Sequence, residues 1–135
     1  MKITLCSSAK FFDRLESIKV ELEKLGFEVL MPSMMDYHDL EESSLAKIQC
    51  DLIKDHFDKI DQSDAIFVAN YEKNNISGYI GGNVLLEMGK AFHKDIPIFL
   101  MNDIPKEGIN YKEELVALQP IIVGEDWEKI REKLL

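Results

Sequence analysis

Short apolar runs rich in β-branched residues recur along the chain, and longer segments with a helical period separate them. Each run is followed by polar or glycine-containing residues, which is typical of buried strands in a parallel sheet. We predict strands over residues 3–6, 27–31, 65–69, 97–101 and 120–123.

The segments between the strands carry apolar residues at helical spacing. Phe12, Leu15, Ile18 and Leu22 form one stripe in the first of them, which Gly26 closes. Ser43 or Ser44 is the expected N-cap of a second helix that ends near residue 62. The predicted helices cover residues 11–25, 43–62, 83–93, 111–118 and 125–134.

Strands and helices alternate five times, which favours right-handed crossovers and a parallel sheet. The fold class is therefore predicted as α/β: a single-domain, doubly wound, Rossmann- or flavodoxin-like sheet of five parallel strands with helices on both faces. A chain of 135 residues, 46% hydrophobic and 30% charged, suffices for one core, so residues 1–135 are expected to form one domain.

The chain carries a formal net charge of −9, with acidic residues spread along its length. This charge argues against a polymeric nucleic acid or an anionic membrane as partner. The sequence shows neither a charged leader before a long apolar stretch nor an apolar run of about 18 residues, so we expect a cytoplasmic protein. Cys6 and Cys50 are interpreted as small core residues in a reducing compartment.

Three loops follow strand ends at the same edge of the predicted sheet, where α/β proteins bind ligands. They span residues 7–10, 31–44 and 70–82. Gly78, Gly81 and Gly82 in the third loop are expected to allow positive φ and a close approach of backbone N–H groups to an anion. The spacing matches neither a Walker loop nor GxGxxG. The loop 31–44 is long enough to act as a lid, on which Tyr37, His38 and Asp39 are candidate site residues.

Two helices carry polar residues at or near their apolar faces. Glu87 lies at the border of the cluster that contains Val84 and Met88, where it either reaches into a pocket or complements the helix dipole. Gln49 and His56 lie near the middle of the apolar face of the second helix. An inward-facing histidine needs a hydrogen-bond partner, a water, a subunit contact or a ligand. His38 and His93 are expected to face solvent, and no spacing resembles that of a metal site.

Three consecutive segments carry a resemblance to a known family: Asp-Ala-Ile-Phe-Val-Ala from Asp64, Gly-Tyr-Ile-Gly-Gly-Asn-Val-Leu-Leu-Glu-Met-Gly from Gly78, and Lys-Asp-Ile-Pro-Ile-Phe-Leu from Lys94. Together they resemble the nucleoside 2-deoxyribosyltransferase-like superfamily, which includes the 2'-deoxynucleoside 5'-monophosphate N-glycosidases. The resemblance is close over roughly 40 residues and elsewhere covers only the order of elements.

The resemblance implies that Glu87 is the nucleophile that attacks the anomeric carbon of a sugar. Eight residues before Asp64, where the family has an aspartate, this chain has His56, which becomes a candidate proton donor or base contact with a near-neutral pKa. The acidic residue that the transferases carry shortly before the nucleophile is absent from this loop. The implied substrate-binding residues are Ser7, Ser8, Asp64, Gly78, Tyr79, Gly81, Gly82 and Asn83.

The expected partner is a small-molecule nucleoside or nucleotide, with no cofactor and no metal, and the resemblance implies a homodimer or higher homo-oligomer. Two alternatives remain open: a nucleotide-binding module without catalysis, and a phosphoribohydrolase of the lysine-decarboxylase-like type. The latter has Pro-Gly-Gly-x-Gly-Thr-x-x-Glu, and this chain lacks the proline, the third glycine and the threonine.

Overall fold

The computed structural model describes residues 1–33 and 42–135. Five strands alternate with five α-helices, and a 3-10 helix, Ala9–Arg14, leads into the first of these. The strands are β1 (Lys2–Cys6), β2 (Glu28–Leu30), β3 (Ala65–Val68), β4 (Ile98–Leu100) and β5 (Ile121–Ile122). The helices are α1 (Leu15–Lys24), α2 (Glu42–Asp61), α3 (Gly82–His93), α4 (Lys112–Ala117) and α5 (Trp127–Leu134).

All strand pairs are parallel, and the order across the sheet is β2-β1-β3-β4-β5. The chain leaves β1 towards β2 on one side and returns to β3 on the other side. The order therefore reverses between β1 and β3, where Cys6 pairs with Val68 at the carboxyl ends. A crevice opens at such a reversal in α/β sheets, and it is the usual place for a ligand.

The core has two halves, one on each face of the sheet. Ile3, Leu5 and Phe67 point towards the face covered by α1 and α5. Their neighbours Cys6, Ile66 and Val68 point towards α2, α3 and α4. Because side chains alternate along a strand, the central strands β1, β3 and β4 supply both halves, and this explains why their apolar runs are continuous.

The predicted α/β class, five-stranded parallel sheet and placement of helices are confirmed. β1 begins one residue before its predicted start and ends where predicted, whereas β2, β3, β4 and β5 lie within the predicted bounds and each ends one residue early. The predicted helix over residues 11–25 is wrong at its start, since a 3-10 turn bonded from the Phe11 N–H to the Ser8 carbonyl precedes α1. This tighter helix lets the chain turn off the sheet edge within a few residues. Ser43 and Ser44 lie inside α2 rather than at its cap, because α2 begins at Glu42.

In the portion that the structure describes, no helix is both long and apolar enough to cross a membrane.

Candidate functional site

Three side chains from three different elements, two of them buried and one largely buried, meet at the reversal of the sheet. Cys6 ends β1, His56 lies on α2 and Glu87 lies on α3. The Cys6 Sγ is 3.4 Å from the His56 Nε2, and that nitrogen is 3.6 Å from the Glu87 Oε2. We call these three residues the Cys6–His56–Glu87 cluster.

The local sequence explains why each side chain points into the cluster. Cys6 is fully buried and, with Ile66 and Val68, faces the layer formed by α2 and α3. His56 shares its helix face with the buried Ile60 and is 4% exposed, which confirms the predicted inward orientation. Gln49, two turns earlier, is half-buried.

Glu87 lies beside the buried Val84 and Met88, and its side chain is 15% exposed. It is the sixth residue of α3 and so lies beyond the first turn. An acidic side chain complements the helix dipole only within that first turn, so this role does not account for Glu87. The border position predicted from the helical wheel therefore places this carboxyl group in the crevice.

Burial shifts all three titratable groups towards their neutral forms. It raises the pKa of Glu87 from 4.5 to about 7, against the effect of a hydrogen bond from the Cys6 thiol. It lowers the pKa of His56 from 6.5 to about 4, helped by the positive charge of Lys59 and opposed by Asp55. Burial, with the nearby Glu87 carboxylate, raises the pKa of Cys6 well above its ordinary value. The titrating group poised near neutral pH is therefore the glutamate, and His56 does not have the near-neutral pKa that was predicted.

Two polar atoms of the cluster have no hydrogen-bond partner within residues 1–33 and 42–135. They are the His56 Nδ1 and the Glu87 Oε2, both buried. A buried polar atom without a partner costs about 1–3 kcal/mol, so such atoms often mark a place where a ligand completes the structure.

The loop after β1 meets the loop after β3 through a lysine that the sequence did not single out. The Lys73 Nζ donates a hydrogen bond to the Ser8 Oγ at 3.0 Å and lies 5.1 Å from the centre of the Tyr79 ring. The Ser7 hydroxyl donates to the Ser8 carbonyl. Ser7, Ser8, Lys73 and Tyr79 are all half-buried, and Ser7 directly follows Cys6 of the cluster in the chain.

The conformation of the glycine-rich loop at Gly78 is one that only glycine fits, and a side chain from the end of β3 bonds to it. Gly78 has φ +69°, and a Cβ there would overlap the carbonyl oxygen of Asp103. The Asn70 side chain donates to the Gly78 carbonyl at 3.2 Å and to the Asn102 carbonyl at 2.8 Å. Asn102 returns the contact, since its backbone N–H donates to the Asn70 Oδ1 and its side chain to the Asn70 carbonyl, both at 2.9 Å. This pair ties the ends of β3 and β4 together.

The predicted positive φ applies to Gly78 only. Gly81 has φ −86° and ψ 179° as the N-cap residue of α3, and Gly82 is already helical. A Cβ on Gly82 would meet nothing within 4 Å. Gly82 and Asn83 are exposed in the first turn of α3, where backbone N–H groups lack helical partners.

Asp64 does not belong to the site. It precedes β3 at the amino edge of the sheet, where its carboxylate accepts a hydrogen bond from the Lys2 backbone N–H at 2.8 Å. The site lies at the opposite, carboxyl edge, so we assign Asp64 a structural role. The candidates Tyr37, His38 and Asp39 lie outside the described residues, and His93 is exposed as predicted.

Cys6 and Lys73 are the site residues that the sequence analysis missed. Cys6 was interpreted as a small core residue, although its place at the carboxyl end of the first strand was a signal for the crevice. Cys6, His56 and Glu87 also form a set of potential metal ligands whose donor atoms all lie within 4.8 Å of one another.

Comparison with known proteins shows similarity at the level of the fold. No protein-family model matches the chain, and no curated protein does. A 2-deoxyribosyltransferase from the psychrotolerant bacterium Bacillus psychrosaccharolyticus superposes with a TM-score of 0.60 at 18% identity, over 96% of this chain and 90% of the other. A conserved protein from Enterococcus faecalis V583 superposes with a TM-score of 0.63 at 16% identity, over 98% of each chain. The chain thus has a nucleoside 2-deoxyribosyltransferase-like fold, as the resemblance implied.

Proposed function

We propose that this protein cleaves or transfers the N-glycosidic bond of a nucleoside or (deoxy)nucleotide, with Glu87 as the nucleophile. The observation that carries the proposal is a buried carboxyl group beside an imidazole at the reversal of a parallel sheet. The fold shared with a 2-deoxyribosyltransferase supports it.

In the proposed reaction, the ionised Glu87 carboxylate attacks the anomeric carbon and forms a glycosyl ester. The carbon–nitrogen bond breaks, its electron pair stays on the base nitrogen, and that nitrogen takes a proton from solvent. Water then attacks the anomeric carbon, which releases the free sugar and the carboxylate, and the second proton of that water returns to solvent. A second base in place of water would give transfer instead of hydrolysis.

His56 is proposed to hydrogen-bond Glu87 or the base rather than to store a proton. Its pKa of about 4 keeps the imidazole neutral at pH 7, so its Nε2 can carry a hydrogen. The Glu87 Oε2 lies 3.6 Å away, so a small shift of either side chain would bring the two atoms to hydrogen-bonding distance. This refines the predicted acid/base role into one of orientation.

The sugar and any 5'-phosphate are proposed to lie between the loop after β1 and the first turn of α3. Ser7, Ser8 and Tyr79 supply hydroxyl groups there, and Lys73 supplies a positive charge. Gly81, Gly82 and Asn83 supply the backbone N–H groups of a helix N-terminus, which favour an anion. Completion of the site by a second copy of the chain and a cytoplasmic location remain predictions.

The test is incubation with a panel of nucleosides and their 5'-monophosphates, with chromatographic detection of the free base. We expect release from at least one member of the panel and a glycosyl adduct on a Glu87 peptide by mass spectrometry. Glu87→Gln should lower activity by at least about 10³-fold, because the amide cannot attack the anomeric carbon as a carboxylate does. Because the carboxylate must be ionised, kcat/KM should rise as the pH passes through about 7.

Glu16→Gln is the matched control, since Glu16 is an exposed glutamate on α1, across the sheet. Unchanged turnover in Glu87→Gln would refute the nucleophile. A shift of the melting temperature with a nucleotide but no base release would instead favour a binding module. A rate that falls through pH 7 would indicate a protonated Glu87 that acts as the acid.

A further inference from the structure

The Cys6–His56–Glu87 cluster has the dimensions of a metal site. In a tetrahedral zinc site with bonds of about 2.0–2.3 Å, neighbouring ligand atoms lie roughly 3.3–3.6 Å apart. The two measured separations are 3.4 Å from sulfur to nitrogen and 3.6 Å from nitrogen to oxygen. The remaining pair lies within 4.8 Å, so about 1 Å of side-chain movement closes the third edge.

A second observation points to a ligand at the same place. The Glu87 Oε2, which is the oxygen nearest to the imidazole, is buried and has no hydrogen-bond partner in the parts of the chain that the structure describes. A cation between this oxygen, the Nε2 and the Sγ would satisfy it. The His56 imidazole is 4% exposed and the Cys6 side chain fully buried, so the donor atoms are held by the core and not by a loose surface loop.

We propose that Cys6, His56 and Glu87 bind one divalent transition-metal ion, and that Zn²⁺ is the ion that this donor set suits. A thiolate, an imidazole and a carboxylate are the three ligand types that zinc takes in proteins. The thiolate favours zinc over the hard cations magnesium and calcium, which take oxygen ligands.

The charges of the complex balance in the buried site. One thiolate and one carboxylate cancel the two positive charges of the ion, so no net charge is placed in the core. The thiol proton, and any proton on the carboxyl group, pass to solvent when the metal binds. Three protein ligands leave a fourth position for water, on the side where Glu87 is partly exposed.

This site shares Glu87 and His56 with the proposed glycosyl chemistry, but metal binding and base release are measured separately. A zinc ion bound to the Glu87 carboxylate would withdraw the electron pair that the nucleophile needs. If both proposals hold, zinc inhibits base release and a chelator restores it. If only the metal site exists, binding is measurable although no nucleoside is cleaved.

The direct test is titration of the protein, purified in chelator and exchanged into chelator-free buffer, with Co²⁺ and Zn²⁺ alone. We expect one ion per chain by native mass spectrometry. Co²⁺ should produce an intense near-ultraviolet thiolate-to-cobalt charge-transfer band that Zn²⁺ abolishes by displacement. Glu87→Gln and His56→Gln should each weaken binding by at least about 10–100-fold, the loss that even outer-shell changes cause at such sites.

The two cysteines provide matched variants. Cys50 lies on α2 and is exposed, so Cys50→Ser should keep the band, whereas Cys6→Ser and Cys6→Ala should lose it. Far-ultraviolet circular dichroism of the metal-free variants shows whether each is folded, and the glutamate variant tests the site without altering a cysteine. The proposal is overturned if the wild-type protein binds no Co²⁺ or Zn²⁺ at micromolar concentration. It is also overturned if the band persists in folded Cys6→Ser or disappears in Cys50→Ser.

Discussion

The buried pair Glu87 and His56 should leave a specific signature in the pH dependence of stability. Raising the pKa of Glu87 from 4.5 to about 7 is worth about 3 kcal/mol. The native state holds this proton more tightly than the unfolded chain does. The contribution is therefore complete below pH 4.5 and is lost as the pH rises through about 7.

His56 contributes a term of similar size and opposite slope. Lowering its pKa from 6.5 to about 4 is also worth about 3 kcal/mol. The unfolded chain binds this proton more tightly, so the contribution is complete above pH 6.5 and is lost as the pH falls through about 4. In the wild-type protein the two terms nearly cancel between pH 4 and pH 7.

Substituting either residue should reveal the pH-dependent stability term of the other, because the two terms no longer cancel. Relative to the wild type, Glu87→Gln should gain about 3 kcal/mol in free energy of unfolding between pH 4.5 and pH 7, because the falling term is gone. His56→Gln should lose about 3 kcal/mol relative to the wild type between pH 4 and pH 6.5, because the rising term is gone. Urea unfolding in the presence of a chelator measures both. Trp127, the single tryptophan, is partly buried against the core, with its ring centroid 5.5 Å from that of Phe67, and reports the transition by fluorescence.

Glu16→Gln and His93→Gln serve as matched controls for the substitutions themselves, since both residues are exposed. Flat difference curves for Glu87→Gln and His56→Gln would refute the argument from burial. A difference curve for Glu87→Gln that falls with rising pH would show that the pair is a charged ion pair instead of a neutral one.

Three further substitutions test the scaffold around the site by urea unfolding. Gly78→Ala should lower the free energy of unfolding by at least about 1–2 kcal/mol because of its left-handed φ, and by more because the new Cβ overlaps the Asp103 carbonyl. Gly82→Ala should be neutral or stabilising, and equal effects of the two substitutions would contradict this account of the loop. Asn70→Ala should lower the free energy of unfolding by about 2–4 kcal/mol and speed amide exchange in the glycine-rich loop, because three side-chain hydrogen bonds are lost. A loss below about 1 kcal/mol would show that the asparagine pair is dispensable. Asp126→Ala should cost about 1 kcal/mol, because the carboxylate caps α5 by accepting from the Lys129 N–H, while Asp126→Asn should retain most of the stability.

The elements of the fold were readable from local patterns. Apolar runs with β-branched residues predicted the strands, and a period of 3.6 in the segments between them predicted the helices, each to within a few residues. The handedness of crossovers then limits how these elements assemble. The exact ends of the elements depend on tertiary structure. The start of the helix predicted over residues 11–25 depends on how sharply the chain leaves the sheet, and Ser8 and Phe11 form a 3-10 turn there.

The candidate site was readable in part. The helical wheel placed His56 near the middle of an apolar face and Glu87 at the border of one; His56 is buried, and the Glu87 side chain is 15% exposed. It did not show that Asp64 points to the far edge of the sheet, although its position ahead of a strand, and not behind one, was available as a signal. It also gave no reason to attach Cys6 to either residue.

Local periodicity decides which way a side chain points, because each residue rotates by a constant angle about the axis of its own helix or strand. Distances between side chains depend on how α2 and α3 pack on β1, which involves residues 31 and 50 positions apart and has no local pattern. The same packing removes water from the cluster and so moves the near-neutral pKa from His56 to Glu87. The sequence by itself therefore determined that His56 faces inward and that Glu87 lies at the border of an apolar face. The packing of three elements decided that the Cys6 thiol, the imidazole and the carboxyl group lie next to one another.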